Sequence, residues 1–203
     1  MTWKLISLLF FLLKFSFFLN AQDTLILLNG KTLVVKNASV NGYSVTYHTL
    51  NENSKMKQIN TDKLFSIIHA DGSERIVYLP DSLETDEYNV KEMRMYVKGE
   101  QDAIKYYKNN LNKAGAFFFG AASAYLSFYG IVGPAVYATA VGSFSPELEK
   151  QKVSDPALLN INEYREGYDR KMRDKKTKNA ILYGLTGFAA GIATFSIIGN
   201  NTK

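Results

Sequence analysis

The chain contains no cysteine, which excludes disulfides, thiolate metal ligation and a lipid-modified N-terminal cysteine. Its only histidines are His48 and His69, so a histidine-based acid, base or metal centre has few parts to draw on, and both read more simply as strand residues. No serine sits in a nucleophile-elbow pattern, and Asn29-Gly30 is a turn dipeptide rather than a phosphate loop. The acidic group Asp81, Glu84, Asp86 and Glu87 lacks the ordered ligand spacing of a calcium loop and reads as a solvated linker. No catalytic, cofactor-binding or metal-ligating residue is expected, and no cofactor. Charge is missing altogether from two long stretches, Ala114 to Pro146 and Ala180 to Gly199. The net charge of +5 comes from lysines and arginines gathered around those stretches, a distribution that suits a membrane surface and not nucleic acid.

What is present begins with a targeting sequence. Lys4 precedes the apolar run Leu5 to Leu13, and Lys14 interrupts it; a lysine in mid-membrane costs roughly 2.5 to 3.5 kcal/mol. This predicts a signal peptide over residues 1–21, cleaved after Ala21, and hence export to the cell envelope. From Asp23 to Tyr78 there is no proline, and short runs rich in β-branched and aromatic residues alternate with turn dipeptides. A hairpin is expected around Asn29-Gly30, then a strand with Tyr43, Val45 and Tyr47 on one face, and further strands around Ile59, Phe65 to His69 and Arg75 to Tyr78, about six in all. The expected fold class is α+β, with a small N-terminal β-barrel or open sandwich of SH3-like type over residues 22–80. Tyr43, Tyr47 and Tyr78 are candidates for an aromatic groove that accepts an extended peptide, with core packing as the alternative.

Residues 81–113 are expected to hold a linker and amphipathic helices. Asn89 with Glu92 makes a capping box, Gly99 ends or bends that helix, and a second helix carries the stripe Ile104, Tyr107, Leu111. Hydrophobic segment 1 covers residues 114–146, and a transmembrane helix covers 179–200; each offers roughly 3 kcal/mol of insertion energy at about 0.3 to 0.6 per large apolar residue. Small residues at four-residue spacing, Ala116, Gly120 and Ala124 in the first and Gly184, Gly187 and Gly191 in the second, are the candidate helix-packing faces. Gly130 and Gly133-Pro134 kink or break segment 1, so it either crosses once or folds as a hairpin. The intervening stretch, 147–178, starts a helix at Ser154-Asp155-Pro156 and ends in Arg170, Lys171, Arg173, Lys175, Lys176 and Lys178, candidate membrane-surface residues for anionic headgroups. A single crossing by segment 1 would place this stretch in the cytoplasm, in line with the positive-inside rule, and a hairpin would place it on the other side.

The strings Asp23 to Gly30 and Phe65 to Gly72 resemble a small β-module of exported proteins of Bacteroidota. Gly99-Glu100-Gln101-Asp102-Ala103, Gly167-Tyr168 and the basic run extend the likeness to exported membrane proteins of that group. The resemblance implies an SH3-like β fold and an envelope location; it implies no single activity and transfers no site residue. The reading that follows is an inner-membrane protein with its β domain in the periplasm, a non-enzymatic binding or scaffolding module, with a small channel or transporter subunit as the alternative. Its expected partners are membrane lipid, an envelope protein and a second copy of the chain.

Overall fold

The computed structural model describes residues 22–51, 55–80, 87–144, 147–148 and 151–201. The signal-peptide reading of residues 1–21 and the linker residues Asp81 to Asp86 lie outside them. The chain is α+β and divides into two compact units, a β unit that ends at Tyr78 and leaves out Leu28–Lys31, and a helical unit that takes in Leu28–Lys31 and continues from Leu79.

The β unit is one antiparallel sheet of six strands: β1 Asp23–Leu27, β2 Thr32–Asn41, β3 Ser44–His48, β4 Lys57–Asn60, β5 Leu64–Ile68 and β6 Glu74–Ile76. Their order is β4-β3-β2-β1-β5-β6. The sheet is open, with β4 and β6 as its edges, so the closed-barrel alternative does not hold. Leu25, Leu27, Val35, Val45, Leu64 and Ile67 form the core, as the two-residue period of half-buried strands requires. The β1–β2 connection is longer than the expected two-residue turn: residues 28–31 lie between the strands, Gly30 takes φ +73°, and Asn29 Oδ1 accepts from the Lys31 N–H at 3.2 Å. Asp23 anchors the irregular stretch of β2. Its carboxylate accepts from the Ala38 N–H at 2.8 Å and the Ala70 N–H at 3.1 Å, and lies 3.5 Å from His69 Nδ1.

The helical unit comprises α1 Val90–Tyr106, α2 Asn110–Ser123, a 3-10 stretch Ala124–Val132, α3 Gly133–Gly142, a 3-10 turn Pro156–Asn160 and α4 Asn162–Asn201. The capping box of α1 forms as expected: Asn89 Oδ1 accepts from the N–H groups of Lys91 and Glu92, and Glu92 accepts from the Asn89 N–H. Gly99 does not end this helix. It sits where α1 crosses α4, and a Cβ there would stand 2.1 Å from the Tyr164 carbonyl oxygen. The second amphipathic helix does not form either, because α1 runs on to Tyr106, Tyr107 caps it, and α2 starts afresh at Asn110. The basic stretch and the last hydrophobic segment are one continuous helix, α4, whose 40 residues extend about 60 Å at 1.5 Å per residue.

Segment 1 is a helical hairpin beside α4. α2 runs in the same sense as α4, with Asn109 meeting Asn179, Gly120 meeting Gly184, and Ala121 and Ala124 meeting Gly191. The chain then reverses through the 3-10 stretch, where Ser127 takes φ 53°, and Pro134 opens α3. α3 returns in the opposite sense, from Pro134 against Gly184 to Gly142 against Thr177. The Phe119 and Tyr137 rings, 5.4 Å apart, close the hairpin upon itself.

The helix crossings need glycine. A Cβ on Gly120 would lie 2.0 Å from the Gly184 carbonyl oxygen, and one on Gly187 would lie 2.0 Å from that of Phe117. Gly187→Val is therefore expected to lower the thermal midpoint of the purified protein in detergent, by a free-energy loss of about 1 to 3 kcal/mol or more. Ala122→Val, on the exposed side of α2, serves as the control and should leave the midpoint within a degree.

Candidate functional site

The first candidate surface is the outside of the hairpin and the end of α4. Here the usual distribution is inverted. Ala116, Ala124, Ala138 and Ala180 are buried, whereas Phe118, Tyr125, Leu126, Phe128, Tyr129, Val136, Leu182 and Ile197 are exposed, Phe128 at 79%. By length and composition the stretches Asn110–Gly142 and Asn162–Ile197 are both apolar enough to cross a membrane, though the first reverses at Ser127. The structure brings the sequence-proposed packing residues together: Ala116 joins Ala138 and Ala180 in one small cluster, Gly120 meets Gly184, and a Cβ on Gly191 would stand 2.7 Å from that of Ala124.

The second candidate surface, the basic run, is divided: Lys171 and Lys176 are buried and Lys175 half-buried, whereas Arg170, Arg173 and Lys178 are exposed. Lys171 is buried and pairs with buried Glu100 at 3.3 Å. Arg170 donates to the Tyr96 hydroxyl at 2.9 Å. Lys175 closes the end of α1, its Nζ donating to the carbonyls of Ala103, Ile104 and Tyr107 at 3.0, 3.0 and 2.9 Å. Lys176 donates to the Phe144 carbonyl just beyond α3 at 2.8 Å. A lysine at a helix C-terminus satisfies orphan carbonyls and complements the dipole there. Arg173 and Lys178 take Asp169 and Asp174, one helical turn away, at 3.1 and 2.9 Å. These two remain the most exposed of the run's ion-paired cations.

Between α1 and α4 lies a polar centre that the sequence did not reveal. Buried Asp102 accepts from the Ser154 N–H at 3.0 Å, the Ser154 hydroxyl and the Tyr164 hydroxyl at 2.7 Å, and pairs with Lys98 at 3.3 Å. Burial alone would raise its pKa, but the Ser154 and Tyr164 hydrogen bonds and the Lys98 charge together hold it below the ordinary 3.8. Glu100 goes the other way: burial raises its pKa, and Lys171 offsets this only in part. Tyr164, Tyr168, Met172, Ala103, Tyr107 and Leu148 pack around this centre. The signal that could have found it is Gly99 and Gly167. A Cβ on Gly167 would stand 2.1 Å from the Tyr96 carbonyl oxygen, so each glycine seats a carbonyl of the opposite helix.

The third candidate, the tyrosine groove, is not assembled at one place. Tyr43 is 92% exposed in the β2–β3 turn, Tyr47 packs against the core, and Tyr78 lies against Phe65 with ring centres 6.4 Å apart. The cavity beside Tyr43, about 410 Å³, is lined by Ser44, Gln58, Asn60, Thr61 and Asp62 and by neither of the other tyrosines. Among the described residues no cluster of three or more His, Asp or Glu side chains could hold a metal ion. The chain matches no family model, and no curated protein or solved structure is similar to it.

Two outcomes follow from the polar centre. Lys171→Met should destabilise the chain by about 3 to 5 kcal/mol because Glu100 is left charged and buried, while Glu100→Met with Lys171→Met should recover most of the loss; denaturant midpoints of both variants check this. The stability that Asp102 contributes is complete above its unfolded pKa and is lost as pH falls through its lower folded value. Denaturation between pH 7 and 3 should show a wild-type loss below about pH 4 that Asp102→Asn lacks; Glu100, whose pKa is raised, contributes the opposite slope above about 4.5 in both proteins and cancels in the difference.

Proposed function

We propose that this chain is a membrane-anchored cell-envelope protein whose β unit, SH3-like in size and strand pattern, serves as a non-enzymatic binding or scaffolding module. The observation that carries the anchor is the inverted hairpin and α4 end, small residues inside and large apolar ones outside. In water such a surface is an aggregation hazard. In a bilayer, where apolar burial does not draw helices together, close backbone packing of small residues is the effective attraction.

The hairpin refines the topology. α2 has 14 residues and α3 has 10, about 21 and about 15 Å of helix, so neither arm alone crosses a hydrocarbon core of about 30 Å, although Tyr125 in the turn between them still reaches Phe195 of α4. We read segment 1 as re-entrant and α4 beyond Asn179 as the single complete span. Residues 87–109 and 147–178 then share one face of the membrane. The β unit precedes α1 with no apolar segment between them, so it belongs to that face, the exported one if residues 1–21 act as a signal peptide. The basic run needs no cytoplasmic location in this reading, because its charges cap helix ends and pair with acids. The seam between the helices is closed by backbone contact, which gives a channel no support.

Carbonate washing of membranes should leave the full-length protein embedded, and its release would overturn the anchor. The cysteine-free chain allows a direct test of the hairpin with Lys91→Cys and Lys152→Cys, placed before and after it. An impermeant maleimide applied to intact spheroplasts should label both or neither, and a split result would mean that segment 1 crosses. Affinity capture from mild-detergent extracts addresses the module, and recovery of no envelope protein under any condition would count against scaffolding.

A further inference from the structure

At the open end of the hairpin, where α2 begins and α3 ends, lies a cavity of about 520 Å³. Lys108, Asn110, Asn112 and Lys176 contribute its polar lining, and Leu111 and Phe144 its apolar lining. Lys176 is only 7% exposed. Its ammonium gives one hydrogen bond, to the Phe144 carbonyl, and among the described residues no carboxylate lies within ion-pairing distance of it. Lys171, Arg173 and Lys178 each hold an acid, and Lys175, which holds none, gives all three donors to carbonyls. An ammonium carries three donors, so Lys176 keeps two for another partner, and a cation buried without a counter-charge is costly. Lys108 stands exposed on the same cavity and, among the described residues, has no acid partner either. The first turn of α2 adds backbone donors, since its N-cap residue Asn109 makes no side-chain cap hydrogen bond and spends its amide on Lys175 and Asn179 instead.

We propose that this cavity binds the phosphate of an anionic phospholipid headgroup, with Lys176 as the buried cation and Lys108 as the cation at its mouth. The lipid source follows from position. The cavity lies at the level of Lys176 on α4, one turn before the uncharged stretch that begins at Ala180. Leu111 and Phe144, 90% and 72% exposed, offer apolar surface beside the polar groups, as a glycerol backbone and its acyl chains require. The site would hold one lipid in the angle between the hairpin and the α1–α2 junction, fixing both to α4.

The inference rests on the membrane reading, and the two fail separately: release by carbonate overturns the anchor, whereas the following measurement concerns the cavity alone. The purified full-length protein in a non-ionic detergent is titrated with short-chain phosphatidylglycerol, with phosphatidylcholine of the same chains, and with inorganic phosphate, following the thermal midpoint. Phosphatidylglycerol should raise the midpoint saturably, with an apparent affinity at least tenfold above that for phosphatidylcholine. Lys108→Gln, an exposed change that leaves the fold intact, should weaken this affinity about fivefold or more; Lys176→Gln should abolish the preference and Lys176→Arg should retain it. Equal responses to the two lipids, or a phosphatidylglycerol response indifferent to Lys108→Gln, would overturn the site. Saturation by inorganic phosphate at the same concentrations would overturn the lipid assignment.

Discussion

The helical unit depends on how closely other backbones approach α4. Two crossings use the same reciprocal device, a glycine on each helix seating a carbonyl of the other: Gly99 on Tyr164 and Gly167 on Tyr96, then Gly120 on Gly184 and Gly187 on Phe117. At such distances each glycine Cα faces a carbonyl oxygen, the arrangement of weak C–H···O contacts. The centres of the two crossings lie 20 residues apart on α4, hence about 30 Å along it and about 200° around it. α1 and the hairpin therefore grip nearly opposite sides of one rod. Because α4 is continuous, setting the register of one crossing sets the other.

The lysines follow from that geometry. Bringing α1 and α3 to an end against α4 leaves carbonyl groups at both C-termini away from water, and such groups must find donors. Lys175 and Lys176, adjacent in sequence and about 100° apart around the helix, reach one terminus each. Asn109 and Asn179 bond to one another in the same layer. A run that in sequence resembles free surface charge is thus engaged within the chain, Lys175 and Lys176 with backbone carbonyls, Lys171, Arg173 and Lys178 with acids and Arg170 with the Tyr96 hydroxyl. Glu100 and Lys171 belong to the same logic deeper down, a pair whose removal by halves is worse than its replacement as a whole.

Much of this was legible from local pattern. Strand period, turn dipeptides and the absence of proline predict the six strands, and the Asn89–Glu92 spacing predicts the start of α1, because these signals are contained within a few residues. The four-residue spacing of Ala116, Gly120 and Ala124 likewise names a face that does meet α4. What local pattern misjudged was every case where the partner is distant. Gly99 has the same signature whether it ends a helix or admits a neighbouring backbone, and only Tyr164, 65 positions away, decides between them. Pro134 signals a break in segment 1, yet a kink and a full reversal look alike until the pairing of Ala138 with Ala180 is known. The tyrosines at 43, 47 and 78 share chemistry and not location.

On the proposed membrane reading, the change of surroundings along α4 falls where two independent criteria meet. Before residue 179 it buries the large side chains of Tyr164, Tyr168 and Met172, with Lys171 and Lys176, around the single glycine Gly167, and its exposed face carries charge; from Ala180 to Gly191 every buried residue is alanine or glycine, and the exposed face is mainly apolar. A soluble core gains by burying large apolar groups, because water drives them inward. A helix in lipid gains nothing from that exchange and packs best where side chains are smallest. The size of what is buried and the polarity of what is exposed therefore need not reverse at the same residue unless the medium does. They change together within about one turn, in the layer where Asn109, Asn179, Lys175 and Lys176 hydrogen-bond to one another's elements, which is where the proposed reading sets the membrane face.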